Sequence, residues 1–109
     1  PDSMLAKIAH ATGTDFLAEG FADRTYARDG SLLARSEAGA VIHEADAQAA
    51  QVISMIEGST VIASDKHVIS LHVDTICLHG DTAGAVQSAL ALREALHSRG
   101  IEIKAQAAP

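Results

Sequence analysis

The chain's 109 residues suffice for one domain with a modest core but not for a complete (β/α)8 barrel, which takes about 250 residues. Apolar residues make up 48% of it and aromatic ones only 3%, so Ala, Val, Ile and Leu do the burying, which excludes disorder and suits α/β layers. A formal net charge of -6 with no basic run removes the electrostatic basis for a nucleic-acid or anionic-membrane partner.

Taken in chain order, SMLAKIAHAT predicts a helix over 3–12 with Met4, Leu5, Ile8 and Ala9 on one face and Gly13 as its stop. Phe16 to Ala18 form a short apolar strand running into a loop that carries Glu19, Asp23 and Arg24. The following TYARDGSLLARSEAGA is an excursion with an Asp29-Gly30 turn. Residues 40–43, AVIH, make a short extended piece, and EADAQAAQVISMIEG then predicts a helix with Ala45, Ala49, Val52, Ile53 and Ile56 inward and Gly58 closing it. TVIAS and HVISLHV, separated by Ser64-Asp65-Lys66, suggest a two-stranded excursion. DTICLH, residues 74–79, is the clearest strand. Thr82 is the expected N-cap of a helix from about Ala83 to Arg99, striped by Ala85, Val86, Ala89, Leu90, Leu92 and Leu96 and closed by Gly100. IEIKA reads as a last strand and AQAAP as a tail. The recurrent order of strand, loop and helix points to parallel β/α units.

No apolar run approaches the roughly 18 residues of a membrane span, and PDSMLAKIAHATG lacks the apolar centre of a signal peptide, so a cytoplasmic protein is expected. The lone Cys77 agrees with a reducing compartment, and inside an apolar strand it reads as core rather than nucleophile.

His79-Gly80-Asp81 stands between a strand end and a helix start, where parallel sheets place ligands. An imidazole exchanges protons near neutral pH, and a neighbouring carboxylate can orient it or bind a cation. The plainer reading is that Asp81 caps the helix beside Thr82 while His79 is a satisfied buried histidine. Glu19, Asp23 and Arg24 form a second cluster, fit to hold a carboxylate-bearing substrate or to act in acid-base work, and equally fit to be a loop salt bridge. His43 and Glu44 mark a third corner, preceded by Arg35, with Glu44 suited to the helix dipole. His10 and His97 read as surface residues on helices. No pair of histidines has a convincing metal-ligand spacing.

FADRTYARDGSLLAR, GAVIH and DTICLHGDTAGAV together resemble the C-terminal part of the family of 5-oxoprolinase A subunits, also called the LamB/YcsF lactam-utilisation family. An E-x-FADR-x-Y...DG-x-L...R block there precedes a C-x-HGDT-x-x-AV block. Ala83 stands where the family usually has proline, a change that affects only backbone pre-setting. The family's N-terminal N-A-D-x-G-E and C-G-x-H-x-G-D motifs are absent, so residues 1–109 are expected to be the C-terminal half of the domain.

The resemblance implies an α/β fold, the C-terminal part of an irregular (β/α) barrel of the glycoside hydrolase/deacetylase type. It implies part of the A subunit of an ATP-dependent 5-oxoprolinase that opens 5-oxoproline to L-glutamate with partner subunits B and C, using ATP with Mg2+ and no tightly bound metal. His79, Asp81 and Asp23 are then the expected catalytic residues and Glu19, Arg24 and Arg35 the substrate-binding ones. A fragment of this kind is expected to be inactive alone, and to self-associate or pair with the missing N-terminal half. A non-catalytic, partner-binding or regulatory module of the same family is the alternative; a metal-dependent deacetylase is weaker, for lack of ligands.

Overall fold

The computed structural model describes residues 3–81 and 83–105. It opens with helix α1, Met4–Thr12, where Ser3 Oγ accepts from the Ala6 N–H at 3.2 Å and Gly13 closes the last turn with φ at 70°. The helix forms as its pattern predicts, but its stripe is not covered. Only Ala9 is buried, and Met4, Leu5 and Ile8 are 70%, 73% and 52% exposed.

Strand β1, Glu19–Phe21, follows three residues later than the apolar run suggests, and Phe16 and Leu17 lie exposed before it. Its start is fixed from a distance. The Asp74 and Thr75 N–H groups donate to the Ala18 carbonyl at 2.7 and 3.1 Å, while the Ala18 N–H donates to Asp74 Oδ2 at 2.9 Å. Beyond them β1 runs parallel to a strand at Thr75–Cys77, with Glu19 opposite Thr75, Gly20 opposite Ile76 and Phe21 opposite Cys77.

Helix α2, Ala45–Gly58, buries Gln48, Ala49, Val52 and Met55. The expected stripe is correct at Ala49 and Val52; Ile56 turns outward because the helix serves two clusters, and Met55 takes the inward place. Ala49 and Val52 pack with Ala22, Leu92 and Leu96, whereas Met55 packs with Tyr26, Val61 and Leu71. Ser59, with φ at 51°, takes the left-handed C-cap rather than Gly58. The expected excursion is an antiparallel hairpin of β2, Thr60–Ile62, and β3, Val68–Ser70, turning through Lys66 at φ 73°. The partner of β1, Thr75–Cys77, is β4.

Helix α3, Ala85–Ser98, starts two residues later than expected, after Gly84 at φ 82°. The expected cap, Thr82, lies outside the described residues. Leu92 and Leu96 are buried as predicted, but Ala89, Val86 and Leu90 are exposed, and Ser88 is buried instead. Residues 101–105, expected as a strand, are irregular: no strand among the described residues pairs with them, and a strand forms only where its N–H and C=O groups find a ladder. Of the expected tail, residues 106–109 lie outside the described residues.

The architecture is mixed α/β. Helices α2 and α3 pack against each other and cover the face of the β1–β4 pair that carries Ala22, Ile76 and Leu78. Gly20 lies on that covered side for a steric reason, since a Cβ there would stand 2.7 Å from Val73 Cγ1 and 3.0 Å from Met55 Sδ. Gly20→Ala is therefore expected to destabilise the fold by about 1–3 kcal/mol through overpacking, read as a lower midpoint in chemical denaturation. An unchanged midpoint would show that Val73 yields.

Candidate active site

Side chains alternate along a strand, so Glu19, Phe21, Thr75 and Cys77 share the face turned away from α2 and α3. Two steps on, each strand delivers a chemical group at its carboxyl end: Asp23 after Phe21 and His79 after Cys77. The two meet. His79 Nδ1 lies 3.0 Å from both carboxylate oxygens of Asp23, and the His79 backbone N–H donates to Asp23 Oδ2 at 3.2 Å. The imidazole also stacks on Phe21, with ring centroids 5.9 Å apart and planes 8° from parallel.

Asp23 is almost wholly buried at 3% exposure, whereas the His79 side chain keeps 26%. A carboxylate only accepts hydrogen bonds, so Nδ1 must carry a proton, and in the neutral imidazole the lone pair is then on Nε2. The pair is thus an oriented base at a strand end. Its backbone is pinned on several sides: the Ala22 N–H donates to the Cys77 carbonyl at 3.0 Å, and the Ile42 N–H to the Asp23 carbonyl at 2.8 Å.

The other expected site residues are dispersed. Asp81 is exposed and is not among the residues that line, with Asp23, His43, Gln48, His79 and Ser88, a cavity of about 10 Å³ at this end; the carboxylate that orients His79 is Asp23 and not its neighbour Asp81. Arg24 does not pair with Asp23. It is 9% exposed, and its Nη2 donates to the Leu33 carbonyl at 2.7 Å, which turns the guanidinium into the excursion. Arg35 is exposed on that excursion. Glu19 stands at the start of β1, about 13 Å along the strand from Asp23 at roughly 3.3 Å per residue. It borders an open cavity of about 400 Å³ lined by Phe16, Leu17, Phe21 and Tyr26. Glu19 and Asp23 therefore share a face but not a mouth.

Burial pushes the Cys77 thiol up, and the Glu19 and Asp23 carboxylates push it further, which favours the protonated thiol over the nucleophilic thiolate. Burial likewise raises Tyr26, more than the Phe21 N–H donated to its hydroxyl at 3.0 Å lowers it. On the surface, Arg28, Asp65 and His67 form a separate charged cluster, with Arg28 Nε 2.9 Å from Asp65 Oδ2. Among the described residues no three His, Cys, Asp or Glu side chains converge as a metal site requires, and no helix is long and apolar enough to cross a membrane.

Sequence reasoning missed Gln51, whose Nε2 donates to the carbonyls of Phe21 and Arg24, both at 2.9 Å. Nothing in a helical pattern distinguishes that glutamine. Phe21 lies inside the FADR block, and its stacking on a histidine far along the chain was the more accessible signal, since an aromatic two residues before an acid at a strand end shares its face.

The fold and site define a mixed α/β protein that holds a buried carboxylate and an imidazole together across the ends of two parallel strands. The chain belongs to the LamB/YcsF family, whose model matches residues 1–109. It is 45% identical over 102 residues to the 5-oxoprolinase A subunit of Nitrobacter hamburgensis and 47% identical over 102 residues to that of Acinetobacter baylyi, in each case covering 94% of this chain and 40% of the relative. A crystal structure of a lactam utilization protein from Thermus thermophilus superposes with a TM-score of 0.90 at 31% identity, covering 97% of this chain and 42% of that one. The chain thus spans about two fifths of the length of the relatives it matches.

Proposed function

We propose that this chain is part of the A subunit of an ATP-dependent 5-oxoprolinase, contributing to an irregular (β/α) barrel that opens the lactam of 5-oxoproline to L-glutamate in company with subunits B and C. The observation that carries the reading is the His79–Asp23 pair, found in a chain whose relatives are named for that activity. A lactam is an amide, and hydrolysing it requires an activated carbonyl and a deprotonated water. His79 is oriented to take the water proton at Nε2, while Asp23 holds the Nδ1–H tautomer and stabilises the imidazolium that results. Asp81, two residues on and exposed, is assigned the passage of protons between His79 and solvent or the leaving nitrogen.

ATP, with Mg2+ on the complete assembly, would transfer its γ-phosphoryl to the lactam oxygen and leave as ADP, and phosphate would depart as water opens the ring. Arg24, whose Nη2 is held by the Leu33 carbonyl, is the proposed holder of the substrate carboxylate, with Glu19 and Arg35 as the other substrate-binding residues.

The test is 5-oxoproline-dependent ATP hydrolysis with glutamate release, measured with the partner subunits present. In the full-length protein, Asp81→Asn is expected to cut turnover by about a hundredfold while leaving the circular dichroism unchanged; wild-type turnover removes Asp81 from the site. A second reading, a non-catalytic partner-binding module of the same family, is favoured by the dispersal of Glu19, Arg24 and Arg35 away from the pair. Binding to subunits B and C without glutamate release would establish it.

A further inference from the structure

We propose that Gln51, in the middle of α2, is the positioning residue that frees Asp23 to hold His79; the kinetic part of this inference rests on the hydrolase reading. In the parallel ladder Phe21 is opposite Cys77, and the Ala22 N–H donates to the Cys77 carbonyl at 3.0 Å. A parallel ladder continued one step would direct the His79 N–H back to the Ala22 carbonyl. It does not go there. The His79 N–H donates instead to Asp23 Oδ2 at 3.2 Å, so a side chain has replaced a backbone acceptor and the Ala22 carbonyl is left without its ladder donor.

Gln51 brings a donor to this strand end. Its Nε2 carries two hydrogens, and it lies 2.9 Å from the Phe21 carbonyl, 2.9 Å from the Arg24 carbonyl and 3.4 Å from that of Ala22. These three carbonyls flank Asp23 on both sides. One amide from a rigid helix therefore fixes the backbone on which Asp23 stands, with its two short bonds at Phe21 and Arg24 and only a long contact at the Ala22 carbonyl that His79 has left. Without that amide, the donor that the parallel ladder directs to the Ala22 carbonyl is the His79 N–H itself. Taking it would restore the ladder, withdraw His79 from Asp23 and release the Nδ1–H tautomer.

The experiment compares Gln51→Leu, which removes the donor, with Gln51→Lys, which keeps an N–H donor on a stem long enough to reach the same carbonyls. The tautomer of His79 is read by 15N NMR on the full chain, and turnover is read in the assembly with its partner subunits. Gln51→Leu is expected to lose the single Nδ1–H signature and to lower kcat by about tenfold or more with KM within about twofold, as a small misplacement of a catalytic group does. Gln51→Lys is expected to restore both. A Gln51→Leu protein that keeps the wild-type tautomer overturns the inference, as does equal loss in both variants. Should Gln51→Leu fail to fold, Gln51→Met, unbranched and equally long, carries the comparison. Because the tautomer is read without substrate, an assembly inactive on 5-oxoproline would sink the hydrolase reading and leave the Gln51 result standing.

Discussion

Asp23→Asn is expected to lower turnover of the assembled enzyme by between about a hundredfold and ten-thousandfold, the largest effect among the site residues. The substitution keeps the shape and removes one acceptor from a group that serves two donors. Both the His79 N–H and its ring Nδ1 face the Asp23 carboxylate, at 3.2 and 3.0 Å. A carboxamide has one oxygen. With that oxygen at the Oδ1 position, the NH2 is set against the His79 backbone N–H, two donors in a site with 3% exposure. With the oxygen at the Oδ2 position, it still accepts from the His79 N–H but leaves the NH2 3.0 Å from Nδ1, and the ring answers that donor by moving its proton to Nε2, where the lone pair is needed. The first arrangement costs about 1–3 kcal/mol of stability and the second removes the base. Turnover measured beside thermal denaturation separates the two, and full turnover in Asp23→Asn would mean that the pair is structural.

The corner that holds His79 was legible in the sequence, because TICLH is a β-branched and apolar run ending at a glycine, and its strand stands where its composition puts it. The Asp29-Gly30 turn was legible for the same local reason: Gly30 takes φ 87° and Asp29 Oδ1 accepts from the Ser31 N–H at 3.0 Å. Strand β1 was not. Glu19 and Gly20 are poor strand formers, and what makes them a strand is the Asp74 carboxylate holding the Ala18 N–H across 56 positions. The same separation divides Asp23 from His79, so two candidate corners could be read but not which of their members touch. Arg24 was misjudged by proximity: it is adjacent to Asp23 in sequence, yet its guanidinium bonds the Leu33 carbonyl. The helices were found by period and mis-phased by it, since α1 and α3 carry apolar stripes wider than the surface that covers them within this chain.

Those uncovered stripes have a physical consequence. The 109-residue chain is expected not to remain a monomer at micromolar concentration. The β1–β4 pair is a two-stranded parallel sheet, marginal by itself, and the Tyr26 hydroxyl at the Phe21 N–H is a side chain standing in for a neighbouring strand. On the face away from the helices, Leu5, Phe16, Leu17 and Phe21 gather around the same open cavity of about 400 Å³ as Glu19. Met4, Leu5 and Ile8 extend that surface along α1, each more than half exposed. Apolar surface removed from water returns about 25 cal/mol per Å², so a second surface that covers even a few of these side chains is favoured once it offsets the loss of free tumbling. Size-exclusion chromatography with light scattering is expected to give a mass at least twice the 11.3 kDa of one chain. Leu5→Lys and Phe16→Lys, which place charge on that surface without touching the His79–Asp23 pair, should move the distribution toward one chain. A single stable species at 11.3 kDa in the unaltered protein would mean that the exposed face tolerates water and that the open strands do not recruit a partner.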